Sequence, residues 1–145
     1  MTATKRTQSK IGEREATSLV RELTGWDARR RVRQHDCDSD LMGVPGWSIE
    51  VKRHRSASRA DIALWWPQAV TQAGELLPVL LYRVDRGDWR AVWPLAVLLV
   101  DQLADYWQGT EWTADTSVAA LSTVAREVGL GRRPSGPYDR QRTVA

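Results

Sequence analysis

Apolar positions in residues 11–23 recur at helical spacing, with Ile11, Ala16, Leu19, Val20 and Leu23 forming one stripe. Ser9 is placed to cap this helix and Gly25 to stop it. The period then changes. Residues 29–34 read as an extended segment that is polar on both faces, and residues 36–46 carry the turn signals Gly43, Pro45 and Gly46. In Trp47-Ser48-Ile49-Glu50-Val51-Lys52 apolar and polar residues alternate. This predicts a strand with Trp47, Ile49 and Val51 on one face and Ser48, Glu50 and Lys52 on the other.

A polar loop is expected over residues 53–59, then a helix over residues 60–76 in which Pro67 either makes a kink or marks a late start. Trp65 and Trp66 are adjacent on that helix. One of them is expected in the core, the other at a dimer interface or stacked on DNA. The apolar run of residues 78–84 suits a buried strand, residues 85–88 a turn, and residues 89–93 a returning strand. Pro94 suits the start of a helix running towards Trp107. A last amphipathic stretch covers residues 118–128 and ends at Gly129. The order of elements predicts an α/β domain around a mixed sheet flanked by helices. The expected division is a flexible arm at residues 1–10, a core domain at 11–115, and a C-terminal helix with a basic flexible tail at 116–145.

Length and composition narrow the class. At 145 residues the chain has room for one core, and no apolar run approaches the ~18 residues needed to span a bilayer. The N-terminus has charge but no apolar segment behind it, so no secretory signal is expected. The single cysteine, Cys37, cannot form an internal disulfide, which fits a cytoplasmic location. Charge is segregated. Residues 1–60 hold 13 basic against 8 acidic side chains, residues 61–115 hold 3 against 8, and residues 116–145 hold 5 against 2. A basic face of this kind attracts phosphate backbones.

Lysine changes the picture further. It occurs only at Lys5, Lys10 and Lys52, although the chain has 21 basic residues. The arginine bias points to a GC-rich coding genome, of a phage or its host. Lys52 therefore stands out beside Asp38, Asp40 and Glu50. Glu50 and Lys52 share a strand face about 7 Å apart along the backbone. With Asp40 delivered by the preceding turn, two carboxylates offer hard oxygen donors suited to Mg2+ or Mn2+. Lys52 would hold or help activate an attacking water and offset charge on a pentacovalent phosphorus. Arg29, Arg30, Arg31 and Arg33 precede this cluster, and Arg53, Arg55 and Arg59 follow it. Both runs suit phosphate contact. His35, Cys37 and His54 fit no structural zinc spacing.

Residues 10–94 resemble the archaeal-type Holliday-junction resolvases of the PD-(D/E)XK nuclease superfamily, in a phage or bacterial version. The resemblance rests on Gly12-Glu13-Arg14-Glu15 opening a helix, Asp40-Leu41, Glu50-Val51-Lys52, and Pro78 to Arg83 followed by Trp89-Arg90. It implies a restriction-endonuclease-like core and a homodimeric, metal-dependent endodeoxyribonuclease acting on branched DNA. A general repair, recombination or restriction nuclease is the alternative in the same class, and a non-catalytic DNA-binding module the alternative outside it. It further implies that Asp40, Glu50 and the Val51 carbonyl ligate the metal, that Glu13 reaches it directly or through water, and that Arg14 contacts phosphate. Gln68 or Gln72 would be the helix glutamine often found near such sites. The proline of the superfamily motif is replaced by Ser39. Asp38 competes with Asp40, which is favoured by the leucine after it. Glu13 competes with Glu15, about 200° away on a helix, so only one can face the site.

Overall fold

The computed structural model describes residues 3–31, 39–98 and 107–127. Helix α1 spans Ala3–Thr24 and is followed by the short strands β1, Arg29–Arg30, and β2, Leu41–Met42. Strand β3, Trp47–His54, leads into helix α2, Arg59–Ala73, and strand β4, Leu77–Val84. Strand β5, Arg90–Pro94, runs into a single 3-10 turn, Leu95–Leu98. A second 3-10 turn, Thr110–Trp112, precedes strand β6, Thr113–Ser117, and helix α3, Val118–Glu127. The strands form one mixed sheet in the order β1-β2-β3-β4-β5-β6, with β3 and β4 parallel and the other neighbours antiparallel. This is the α/β architecture that the pattern predicts.

Two apolar layers hold the sheet. On one face Trp47, Ile49, Val79, Leu81, Ala91 and Trp93 pack with Ala16 and Val20 of α1 and with Val118, Leu121 and Ala125 of α3. On the other, Leu80, Tyr82 and Val92 pack with Trp65, Trp66 and Ala69 of α2. The alternation along β3 and β4 thus feeds two cores. Helix α2 begins with a capping box between Ser58 and Asp61 and passes through Pro67 to Ala73.

Several expectations need correction. The first helix begins at Ala3, so the expected arm at residues 1–10 is largely helical and Ser9 lies inside the helix. Gly25 does end it, donating its N–H to the Arg21 carbonyl at 3.0 Å. The boundary at residue 115 falls within β6, and α3 packs into the same core as α1, so the C-terminal helix is integral to the domain. Residues 53 and 54 continue β3 rather than opening the loop. Pro94 closes β5, paired with Thr113 of β6, and a 3-10 turn follows at Leu95–Leu98, while the rest of the helix expected towards Trp107, residues 99–106, lies outside the described residues. Both tryptophans are buried, Trp66 at 0% and Trp65 at 8% exposure. They enter neighbouring parts of one layer. Trp66 donates its indole N–H to the Gln108 carbonyl at 2.8 Å, while Trp65 stacks on His54 with ring centroids 4.6 Å apart. The pair therefore offers no surface for a dimer contact. The expected tail from residue 128 onward lies outside the described residues, as do Arg33, His35, Cys37 and Asp38.

Strand β6 is an edge strand with no apolar alternation, and polar contacts hold it. The Arg90 Nε donates to Asp115 Oδ1 at 3.0 Å, the Trp93 indole donates to Thr116 at 2.9 Å, and the Tyr82 hydroxyl donates to Asp115.

Gly43 fixes the turn that leads from β2 towards β3. Its φ of +86° lies in the left-handed region, and a Cβ there would come 2.2 Å from the Asp27 carbonyl oxygen. A backbone oxygen cannot move aside as a flexible side chain can. Gly43→Ala is expected to destabilise the fold by about 3 kcal/mol, read as a lowered urea midpoint with unchanged slope. A variant as stable as the wild type would show that this turn is not tied to the Asp27 backbone.

Candidate active site

Asp40 is positioned by backbone on both sides. Its N–H donates to the Ile49 carbonyl at 2.9 Å, and its own carbonyl accepts from the Arg31 N–H at 3.0 Å. Its carboxylate Oδ2 accepts from the Val51 N–H at 2.7 Å. The aspartate is thus pinned beside the middle of β3, against the backbone between Glu50 and Lys52. Arg31 steadies the same segment by donating its Nε to the Ser39 carbonyl at 2.9 Å.

Glu50 and Lys52 lie on the α2 face of the sheet, in register with Leu80 and Tyr82 of β4. Lys52 Nζ stands 3.5 Å from Glu50 Oε1. Glu50 is only 7% exposed, and its Oε2 is buried with no hydrogen-bond partner. Burial first, then the nearby Asp40 charge and a hydrogen bond with Asp40, push the Glu50 carboxyl up to about 7, with Lys52 only partly opposing them. A desolvated carboxyl pair with an orphaned oxygen is a place where positive charge is missing. Two carboxylates and water suit a hard divalent cation, so Asp40 and Glu50 fit the magnesium or manganese expected from the sequence.

Glu13 of α1 lies near Asp40. Its carboxyl is raised above the usual range, first by burial and then by Asp40, while Arg30 lowers it. Arg30 NH1 stands 3.5 Å from Glu13 Oε2. Glu15 turns away and accepts from Arg83 NH1 of β4 at 2.6 Å. Of the two acids, Glu13 is therefore the one directed at Asp40. Among the described residues, no three of the acidic, histidine or cysteine side chains stand close enough to form a complete metal-ligand group. Glu13 feels the Asp40 charge without joining a group of three.

The two helix glutamines separate clearly. Trp65 of α2 stacks on His54, at the end of β3. Gln72 lies seven residues further along the same helical stripe, about 10 Å along the axis. Because α2 runs back between two parallel neighbouring strands, that distance corresponds to about three residues of β3. On ideal rises alone, Gln72 would fall near the level of Glu50 and Val51. Its Oε1 is buried without a hydrogen-bond partner, whereas Gln68 is exposed.

The arginines expected at phosphate divide into groups. Arg14, Arg55 and Arg59 are exposed and make no ion pair among the described residues. Arg53 lies on the opposite face of β3 from Lys52, beneath Gly12 of α1, where a Cβ on the glycine would meet the Arg53 Cβ at 3.1 Å. Its Nε is buried and unpartnered. Arg29 is paired with the exposed Asp27, Arg30 with Glu13, and Arg31 with backbone. Sequence reasoning did not foresee the Arg30–Glu13 contact. The residues are 17 positions apart, and only the packing of α1 against β1 joins them.

No family model matches the chain, and no curated protein matches it. Among solved structures it is similar to Hjc, a Holliday junction resolvase from the archaeal hyperthermophile Archaeoglobus fulgidus. The two share 16% identity over 78% of this chain and 98% of that one, with a TM-score of 0.48. A likeness this loose transfers no residue role and no substrate. Among the described residues, no helix is long and apolar enough to cross a membrane.

Proposed function

We propose that this chain is a metal-dependent DNA endonuclease on a restriction-endonuclease-like core, acting on branched DNA and most specifically on four-way junctions. The observation that carries this reading is the convergence of Asp40, the buried Glu50 with its orphaned oxygen, and Lys52 at one point of the sheet. Exposed cationic side chains in the same part of the chain, Arg14, Arg55 and Arg59, suit a polyanion.

In this reading Asp40 and Glu50 hold Mg2+ or Mn2+, with the Val51 carbonyl as a further donor and Glu13 beside them. The ion, when bound, polarises the phosphate and lowers the proton affinity of water. Lys52 then orients the attacking water and balances charge on the phosphorus. Gln72, whose amide oxygen is buried and unpartnered, would orient a ligand water. Arg14, Arg55 and Arg59 would follow the phosphate backbone on either side, and Arg53 would meet it from the α1 face. A homodimer acting on symmetry-related strands belongs to the same reading.

Incubating the wild-type protein with a four-way junction, and with linear duplex of the same sequence, tests this in Mg2+, Mn2+ and EDTA. Paired symmetric nicks on the junction, dependent on metal and leaving 5′-phosphate ends, are expected. Equal cutting of linear duplex would replace junction resolution with general nuclease activity. Tight binding without cutting in either metal would make the chain a DNA-binding module.

A further inference from the structure

Arg30 and Glu13 form a contact that the proposed reaction does not by itself require. Glu13 is a further carboxylate close to Asp40, yet among the described residues it does not complete a ligand group with Asp40 and Glu50. Arg30 NH1 stands 3.5 Å from Glu13 Oε2, with side chains 24% and 12% exposed. That separation exceeds the ~2.7–2.9 Å of a firm charge-assisted hydrogen bond. The pair is loose enough to exchange but sheltered enough to escape most screening by salt.

Resting on the function proposed above, we propose that Arg30 is a positioning residue that holds Glu13 out of the metal group until a DNA phosphate takes its guanidinium. The charges around it account for this. With Arg30 in place, Glu13 has a cation on one side and the repelling Asp40 on the other. When a phosphate draws Arg30 away, Glu13 is left half-buried beside Asp40 with only the weaker field of Lys10 to offset its charge. A divalent cation between the carboxylates is then the compensation, and the metal group gains its third acid. Arg30 sits at the outer strand of the sheet, next to Arg29 and Arg31 in sequence, where a phosphate backbone could reach it. Metal and DNA would therefore strengthen each other's binding through this one side chain, as linkage requires of any such coupling.

The test uses the full chain and two readouts other than cleavage. Mn2+ affinity is measured without DNA by the electron-spin signal of free Mn2+, and junction affinity is measured in EDTA across a range of salt. Arg30→Gln is expected to bind Mn2+ about tenfold more tightly than the wild type. It should bind the junction more weakly, with a salt slope lower by about one. Arg30→Lys, which keeps the charge, should retain wild-type Mn2+ affinity. In a Glu13→Gln background the effect of Arg30→Gln on Mn2+ should vanish, a coupling that a merely structural role would not produce. Unchanged or weakened Mn2+ affinity in Arg30→Gln, with binding still abolished by Glu50→Gln, would overturn the role of Arg30 alone. No saturable Mn2+ binding to any of these proteins would overturn the metal centre as well.

Discussion

Lys52→Ala is expected to lower the rate of metal-dependent cleavage roughly 10³-fold while changing junction affinity in EDTA less than tenfold. The reason is positional. Lys52 shares the α2 face of β3 with Glu50 and lies 3.5 Å from its carboxylate, so its ammonium can meet a water held at that carboxylate. Its charge is needed most when the phosphorus gains an extra oxygen. Arg14, Arg55 and Arg59 can still supply much of the ground-state attraction to DNA. The loss should therefore fall on turnover rather than on binding. Arginine at this position keeps the charge but spreads it over a planar fork. Lys52→Arg should recover little activity. Wild-type cleavage by Lys52→Ala would remove the lysine from the reaction and the site with it.

Glu50→Gln is expected to abolish cleavage and, in the absence of divalent metal, to make the protein more stable at alkaline pH. Glu50 in the fold has its carboxyl pushed up to about 7, from 4.5 in the absence of its surroundings. Between those values the folded chain retains a proton that the unfolded chain has released. The folded state thus binds more protons than the unfolded state, and stability falls as pH rises through this window. The cost is absent below about pH 4.5, and by pH 8 it reaches on the order of 3 kcal/mol. Glutamine has no charge to bury, so the variant should match the wild type at acid pH. At pH 8 it should melt about 6 °C higher, the loss of the loose Lys52 contact being a small offset. Added Mn2+ should raise the melting temperature of the wild type and leave the variant unchanged. A variant less stable than the wild type at pH 8 without metal would contradict the account of Glu50 as a buried, uncompensated carboxylate.

The strongest local signals were the ones legible in the sequence. Alternation over Trp47 to Lys52 defines β3 and places Glu50 and Lys52 together, because the side-chain period of a strand is fixed by its backbone geometry. The apolar run that became β4, and the helical stripes of α1, α2 and α3, are likewise properties of short stretches of chain. The weak strands were not legible. Strand β2 is two residues long, and β6 has no apolar alternation because it is an edge strand held through Asp115 and Thr116. The same limit explains the tryptophans. A helix places neighbours about 100° apart, but the layer beneath α2 is wide enough for Trp65 to lie on His54 and Trp66 to reach Gln108.

By itself, then, the sequence determined an α/β chain with an acid pair and a lysine near one strand, and a basic flank beside them. Only the tertiary structure decided which acids meet. It pinned Asp40 to the Val51 N–H, brought Glu13 near Asp40 and Glu15 to Arg83, and buried the Gln72 amide oxygen while leaving Gln68 exposed. It also buried Glu50 deeply enough to leave one oxygen without a partner. Spacing along a chain fixes the face on which a side chain lies, but burial and opposing charge arise only where separate elements close over one another. Those two quantities decide whether a carboxylate keeps its proton or holds a cation.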